Sequence, residues 1–216
     1  MIKDDFEYSG DPKPEIWVKA GSPYVSGGLL ILPSAADMVR SRSPIRLDNG
    51  ATIKIDARQG TVMVELSTYS LTKPPSSIEG LPHYGIYIYS REGQVSVVKN
   101  GKMLSSLLGV HMPGTVEVEV SSRQIAFYVS GVDGWGRAIP RTKIVSDENQ
   151  FPDKEAFIYM YGGGGQVDAV VAQSGYENPA FMVLSAVSSI TMILPLLLFI
   201  IIARQLKGMF AERGKI

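Results

Sequence analysis

The sequence predicts an all-β domain, built as an antiparallel sandwich or barrel, followed by one transmembrane helix at its C-terminal side. Short runs that alternate apolar and polar residues recur through the first 175 residues, and this two-residue period is that of half-buried strands. Gly, Pro, Asn and Ser separate the runs about every 8 to 12 residues, as in sandwiches and barrels. One uncharged stretch has the length of a membrane span. We therefore expect a β-sandwich over 1–176, a transmembrane helix over 177–204 and a basic tail over 205–216.

Nine segments carry the strand pattern, eight of them alternating and the first fully apolar. In chain order they are 27–32, 51–57, 61–69, 84–90, 93–101, 115–121, 124–131, 156–162 and 166–172. Turns are expected at 47–50, 90–93, 99–102, 113–114 and 162–165. No segment before residue 176 shows a convincing 3.6-residue period, so we expect under a tenth of residues 1–175 in helices.

The order of these segments resembles the laminin G-like, or concanavalin A-like, jelly-roll family. The resemblance starts at DDFEYSGDPKPEIWVKAGSPYVSGGLLIL, where a segment around Trp17 leads to a Gly-Gly-Leu-Leu strand, and covers roughly residues 4–173. It continues through LDNGATIKIDAR, YGIYIY, VSVVKNGK, VEVEV, IAFYVSG and VDAVVA. The resemblance implies a two-sheet antiparallel jelly-roll sandwich with curved sheets. Members of the family mostly bind sugars, proteins or calcium, and a minority hydrolyse glycosides.

Catalytic residues are not expected. The hydrolases that this chain resembles carry E-x-D-x-E on one strand, because retaining hydrolysis needs two carboxylates about 5 Å apart. Glu117 and Glu119 share a strand face, but the aspartate between them and the third acid are missing. We interpret them as a solvated strand face. No serine lies in G-x-S-x-G, and the glycines at 162–165 lack a following Lys-Ser/Thr, which indicates a hairpin turn and not a phosphate loop.

Composition and charge remove further classes of site. Without cysteine there are no disulfides, thiolate zinc sites or cysteine nucleophiles. His83 and His111, the two histidines, have no partner at metal-ligand spacing, so we expect no metal and no cofactor. The resemblance leaves a structural calcium ion open. The chain has 21 basic and 21 acidic residues, and the part before the tail is mildly acidic, which argues against nucleic-acid binding by the β domain.

Aromatic residues form the candidate binding surface. Tyr87 and Tyr89 share one face of their strand, as do Tyr159 and Tyr161 of theirs, each opposite aliphatic neighbours. If the aliphatic residues face the core, the four tyrosines line an outer surface suited to a sugar or a protein. The alternative is ordinary cross-strand pairs on a half-buried sheet. Trp135, in the Gly-rich SGVDGWGR, is either a buried loop anchor or an exposed contact for a ligand, a partner or a membrane.

The membrane prediction rests on the 23 uncharged residues from Phe181 to Ala203. As a helix they would rise about 34 Å, against a hydrocarbon core of about 30 Å. Pro195 lies in mid-span, where we expect a kink. Arg204 and Lys207 begin the basic tail, and this charge bias favours a C-terminus inside and a β domain outside.

The N-terminal residues contain no apolar stretch of a signal peptide, which leaves the orientation open. The alternatives are a mature form, a tail-anchored protein facing the cytosol, and a virion membrane protein. We favour a non-catalytic, membrane-anchored β-sandwich for binding or assembly at a cell or virion surface. A virion structural protein (capsid or envelope) and an accessory subunit of a membrane complex are the alternatives. The expected partners are the lipid bilayer and proteins or a glycan, within a larger assembly.

Overall fold

The computed structural model describes residues 1–48, 50–151 and 155–175. The chain divides into two units, Met1–Tyr176 and Glu177–Ile216, and everything described below belongs to the first. The predicted transmembrane segment lies outside the described residues, and so do Phe181, Pro195, Arg204 and Lys207. Among the residues that are described, no helix has the length and apolar character needed to cross a membrane.

The described part of the chain contains 16 strands, with a single 3-10 turn at Pro75–Ser77. The strands are β1 (Ile2–Asp4), β2 (Trp17–Ala20), β3 (Tyr24–Ser26), β4 (Leu29–Leu32), β5 (Met38–Ser41), β6 (Ile45–Arg46), β7 (Ala51–Gln59), β8 (Thr61–Ser67), β9 (Tyr84–Tyr89), β10 (Gln94–Lys99), β11 (Lys102–Leu108), β12 (His111–Val120), β13 (Gln124–Val132), β14 (Ala138–Glu148), β15 (Glu155–Tyr161) and β16 (Gly165–Ser174).

The strands form two eight-stranded antiparallel sheets. Sheet A has the order β14-β13-β12-β7-β16-β4-β3, with β1 also paired to β16. Sheet B has the order β11-β10-β9-β8-β15-β5-β2, with β6 also paired to β15. The predicted all-β, two-sheet antiparallel jelly-roll sandwich is confirmed.

The core lies between the sheets because each long strand turns its apolar residues to the same side. In β7 the residues at 51, 53, 55 and 57 are buried while those between them are not. The same alternation in the facing strands builds one continuous cluster, in which Phe6, Trp17 and Phe127 are among the largest buried side chains. Asp4 is buried at its border and accepts hydrogen bonds from the Trp17 Nε1 and the Tyr8 hydroxyl, both at 2.9 Å. The N-terminal segment is thereby fixed against β2.

All nine predicted strands are present, and the other seven are not predicted by the alternation. The expected turn at 99–102 is confirmed, with Asn100 and Gly101 at positive φ, as a two-residue hairpin requires. The expected turn at Pro113 and Gly114 is wrong, because both residues lie inside β12. The pairing of β12 with β13 shifts register between His111 and Thr115, which accommodates the irregular residues within the strand.

The chain crosses between the sheets at two neighbouring glycine turns. Gly60 alone separates β7 of sheet A from β8 of sheet B, and residues 162–164 separate β15 from β16. Gly60 has a φ of +78°, and a Cβ on it would lie 1.9 Å from the Gly164 carbonyl oxygen. The Thr61 N–H donates to the Gly163 carbonyl over 3.3 Å, which joins the two crossings. Close backbone approach, and not only the turn, requires glycine at position 60.

Candidate functional site

The outer face of sheet A is polar because its central strands bury their apolar residues on the inner side. On β12 the valines at 116, 118 and 120 are buried, which leaves Thr115, Glu117 and Glu119 on the outer face. The pairing registers place Lys54 of β7 on one side of Glu117 and Tyr128 of β13 on the other. The sequence alternation in three adjacent strands thus brings these polar side chains into rows.

Arg141, from β14, holds this face together. Its Nε donates to Glu117 Oε2 at 2.9 Å, and its Nη2 donates to Glu119 Oε1 at 2.7 Å. The guanidinium carbon also lies 3.5 Å from the centre of the Tyr128 ring, a cation–π contact. Lys54 adds a looser ion pair to Glu117, with 3.8 Å between Nζ and Oε1. The hydrogen bond to Glu117 raises the pKa of Arg141, so this cation is permanently charged.

A depression of about 270 Å³ opens beside this network, and we call it the sheet-A pocket. Its lining includes Lys54, Asp56, Thr115, Glu117, Tyr128 and Arg141. The Thr115 hydroxyl donates to Asp56 Oδ1 at 2.5 Å. Burial raises the pKa of the Tyr128 phenol, with the charge of Glu119 acting in the same direction, so the phenol remains protonated at neutral pH.

The charges in and beside the sheet-A pocket nearly balance. Two cations, Lys54 and Arg141, face three carboxylates, Asp56, Glu117 and Glu119. Ammonium and guanidinium groups donate hydrogen bonds and carboxylates accept them, so the pocket offers both kinds of partner at short range. This chemistry suits an uncharged ligand with many hydroxyl groups better than a strongly charged one.

The described residues do not form a metal-binding site. In residues 1–48, 50–151 and 155–175, no group of three or more His, Cys, Asp or Glu side chains is placed to hold a metal ion. The carboxylates of the sheet-A pocket are bound to Arg141, Lys54 and Thr115 instead. The carboxylates of the sheet-A pocket are therefore not arranged to bind the calcium ion that the family resemblance left possible.

The four tyrosines of the predicted binding surface share the outer face of sheet B, but that face is covered. Tyr159 is 0% and Tyr161 6% exposed, while Tyr87 and Tyr89 are half-buried. The prediction of an exposed tyrosine platform is therefore wrong for Tyr159 and Tyr161. Residues 68–82, which connect β8 to β9, cross this face and cover the two tyrosines. We call this segment the strap. The Tyr159 hydroxyl donates to the Tyr69 carbonyl and accepts from the Leu71 N–H, which fixes the strap to the sheet.

Glu65 lies beneath the strap and is fully buried. Its Oε1 accepts hydrogen bonds from the hydroxyls of Tyr87, at 2.5 Å, and Tyr161, at 2.6 Å. Its Oε2 accepts from the Ser76 N–H at 3.0 Å. Burial, followed by the neighbouring carboxylate, raises the pKa values of Tyr161 and Tyr87, which keeps both phenols as donors.

Trp135 is the one predicted contact residue that is fully presented to solvent. It lies at the tip of the β13–β14 hairpin and is 83% exposed. Asp133 orders the tip, because its Oδ1 accepts from the backbone N–H groups of Trp135 and Arg137, both at 2.9 Å. The Arg137 guanidinium lies 4.9 Å from the indole ring centre. The hairpin therefore holds an exposed indole in an ordered turn, and its role in contact stays a prediction.

Sequence reasoning missed most of the sheet-A pocket. It singled out Glu117 and Glu119 but interpreted them as a solvated face, and it did not select Lys54, Tyr128 or Arg141. For the two glutamates, Lys54 and Tyr128, the alternation of the sequence shows which way each side chain points. It does not show which strands are neighbours, and that pairing is what assembles the pocket. Arg141 belongs to a strand that the alternation does not reveal at all.

Comparison with known proteins identifies the fold and no family. No family model matches the chain, and no curated protein matches its sequence. The exoplasmic/lumenal domain of VIP36, in its Ca2+/Man3GlcNAc-bound form, superposes with a TM-score of 0.56 at 12% identity, over 74% of this chain and 84% of that one. Peanut lectin with a nine-residue peptide gives 0.55 at 10% identity, over 79% and 95%.

A third similar structure is LamA from Z. galactanivorans, in complex with laminaritriose and laminaritetraose. Its TM-score is 0.51 at 11% identity, over 80% of this chain and 97% of that one. Identities this low establish a shared architecture only. The chain therefore has the lectin-like, concanavalin A-like jelly-roll fold that the sequence resemblance implies.

Proposed function

We propose that the β-sandwich is a non-catalytic recognition domain that binds a neutral glycan in the sheet-A pocket. The observation that carries the proposal is the pocket itself, where closely spaced donors and acceptors of nearly balanced charge surround an aromatic ring. Lys54 and Arg141 donate, Asp56 and Glu117 accept, and Tyr128 supplies an apolar surface. Sugars present hydroxyl groups and apolar C–H faces together, and this lining complements both.

The structural relatives support the choice of ligand class. The VIP36 structure contains Man3GlcNAc, and the LamA structure contains laminari-oligosaccharides. Both ligands are neutral oligosaccharides held by a protein of this fold. The similarity gives no residue correspondence at these identities, so the residues that would bind a glycan here are argued from the sheet-A pocket alone.

The absence of catalysis is part of the proposal. Glycoside hydrolysis requires one carboxylic acid that donates a proton and a second carboxylate that acts as nucleophile or base. Glu117 and Glu119 instead share one guanidinium, which places a fixed positive charge between them. We expect no release of reducing ends from any oligosaccharide that binds. Turnover that is abolished by Glu117→Gln or Glu119→Gln would overturn this part of the proposal.

The proposal is tested by titrating the full chain, in detergent, with a panel of neutral manno- and gluco-oligosaccharides and with sulfated or uronic-acid counterparts. We expect calorimetry to show binding of a neutral member, and Arg141→Ala to weaken that binding at least tenfold. The control is Arg46→Ala, which removes an arginine that pairs with Asp48 and lies outside the sheet-A pocket. Preference for the acidic sugars, or equal binding by Arg141→Ala and the wild type, would contradict the proposal.

We also propose that a helix over 177–204 anchors this domain in a membrane, with the C-terminus on the cytoplasmic side. The support is the 23-residue uncharged stretch and the basic residues that follow it. The full chain should resist extraction from membranes at alkaline pH, whereas a chain ending at Tyr176 should be released. Continued sedimentation of the shortened chain with membranes would show that the anchor has been misidentified.

A further inference from the structure

The four terminal strands of the two sheets differ in how their open edges are protected. An open edge can pair with another chain, and proteins protect such edges with short strands, charges, prolines or bulges. β3 has three residues, and β2 has four, with Lys19 in an ion pair to Asp11 at 2.6 Å. β14 is long but contains Pro140, Arg141 and Lys143. Three of the four edges therefore carry a recognised protective device.

β11, the remaining edge, is the least protected, because its one charge is Lys102 at the N-terminal end and its one irregularity is a bulge. It is seven residues long, and from Met103 to Leu108 it has no charge and no proline. Met103, Leu104 and Leu108 are 63%, 38% and 73% exposed. They are three of the seven large apolar residues that are exposed in the described part of the chain. Exposed apolar surface is thus concentrated on the least protected of the four edges, as is typical of an interaction site.

The backbone of β11 is available on its outer side. In the described ranges β11 pairs with β10 and with no other strand, and the pairing contains a bulge at Leu104. On the side of the other sheet, the Ser105 hydroxyl donates to the Ile144 carbonyl of β14 at 3.4 Å. Leu107 packs against the core. The inner face of β11 is therefore occupied, while its outer edge ends sheet B.

We propose that β11 pairs antiparallel with β11 of a second copy of this chain, joining the two B sheets edge to edge. An antiparallel pairing centred on Ser106 sets each Leu104 opposite Leu108 of the other copy. Apolar residues then meet apolar residues, and no like charges face one another. A two-fold arrangement uses the β11 edge of both copies, so this edge is paired in each of them. The absence of charge from Met103 to Leu108 favours a second copy over a charged peptide or a lipid headgroup.

This pairing makes a distance prediction. Residues directly opposite in an antiparallel pair have Cα atoms about 4.5–5.5 Å apart, which is within the range of disulfide-bonded cysteines. The two Ser106 residues occupy that position across the two-fold axis. Because the chain has no cysteine, Ser106→Cys gives each copy a single thiol, and any disulfide must join two copies.

The experiment is mild oxidation of full-length Ser106→Cys in membranes or detergent, followed by non-reducing electrophoresis. We expect most of the protein to run as a disulfide-linked dimer. The matched control is Ser26→Cys, an exposed serine on β3, the short terminal strand of sheet A. We expect the control to form dimer at least fivefold more slowly. Equal rates for the two variants would overturn the proposal.

A second variant separates specific pairing from chance collision. Leu108→Lys, added to Ser106→Cys, places a charge on each side of the paired edges and should slow dimer formation at least fivefold. Leu108 is 73% exposed, so the substitution should leave the circular dichroism spectrum unchanged. If the double variant cross-links as fast as Ser106→Cys alone, β11 is not the interface and the proposal falls.

Discussion

Glu65 is a buried carboxylate whose three hydrogen-bond donors come from three separate segments. Tyr87 belongs to β9, Tyr161 to β15 and Ser76 to the strap. A buried carboxylate is tolerated when such donors satisfy it, and losing one leaves its charge partly unpaired. The same contacts that satisfy Glu65 therefore also fasten the strap over sheet B.

We predict that Tyr161→Phe lowers the free energy of unfolding by about 1.5–3 kcal/mol, the range for a hydrogen bond to a charged group. Tyr89→Phe is the matched control, because Tyr89 is half-buried on the same face and makes no hydroxyl hydrogen bond in the described part of the chain. The control should change stability by less than about 0.5 kcal/mol. Urea unfolding, followed by tryptophan fluorescence, measures both, because unfolding exposes the buried Trp17. Equal losses would show that the hydroxyl of Tyr161 contributes nothing specific.

Asp37 gives the chain a pH-dependent contribution to stability. The Ser22 N–H donates to Asp37 Oδ1 at 2.6 Å, and the Ser34 N–H and hydroxyl donate to Oδ2, both at 2.8 Å. These bonds, that of Ser22 foremost, lower the pKa of Asp37. A lowered native pKa stabilises the fold above the unfolded value of about 3.9, and this stabilisation is lost as the pH falls through the native value.

We therefore predict that Asp37→Asn is less stable than the wild type at pH 7, and that the difference shrinks as the pH falls below about 4. Urea unfolding of both proteins between pH 7 and pH 2.5 measures the gap. A stability difference that stays constant over this interval would mean that the charge of Asp37 does not contribute to its hydrogen bonds with Ser22 and Ser34.

At the scale of single residues, the sequence predicted which face of a sheet each side chain lies on, but not whether that side chain is buried. Tyr87, Tyr89, Tyr159 and Tyr161 lie on the predicted face, because strand alternation fixes which way each side chain points. Their burial depends on the path of the strap, and nothing in a two-residue period specifies where a loop of 15 residues will lie. Trp135 lies between two glycines at a hairpin tip, and although the Arg137 guanidinium lies over its ring, the side chain remains 83% exposed.

At the scale of elements, strands with long, regular alternation were predictable and irregular ones were not. β7 and β12 keep the pattern over most of their length. β14 contains Pro140 and β11 contains a bulge, so neither shows a clean period. The sheet-A pocket needs β14 for Arg141, which is why the pocket could not be assembled from the sequence.

The crossing between the sheets provides a test at this scale. We predict that Gly60→Ala destabilises the fold by about 3 kcal/mol or more, at the upper end for single substitutions, because its Cβ would collide with a backbone carbonyl. Gly109→Ala is the control, since φ is +79° there and nothing lies within 4 Å of the added Cβ. It should cost only the backbone strain of about 1–2 kcal/mol. Thermal unfolding by circular dichroism compares them, and equal midpoints would refute the steric argument.

At the scale of the whole domain, the two outer faces of the sandwich differ in what they expose. The strap closes much of the sheet B face and buries Tyr159 and Tyr161, whereas the sheet A face carries the open, charge-balanced pocket. The β11 edge supplies a separate apolar surface. The two proposals therefore concern separate surfaces, glycan binding on sheet A and self-association at the β11 edge, so each can be tested by its own variants.

The most direct test of glycan recognition is an NMR titration of the 15N-labelled chain with the neutral oligosaccharide that binds best. We predict that the Arg141 Nε–H signal and the backbone amides around Lys54, Glu117 and Tyr128 shift together and saturate at one ligand per chain. The strap and the Trp135 hairpin should remain unchanged. Shifts confined to the strap or to the Trp135 hairpin, with the Arg141 signal unmoved at saturation, would contradict the assignment of recognition to the sheet-A pocket.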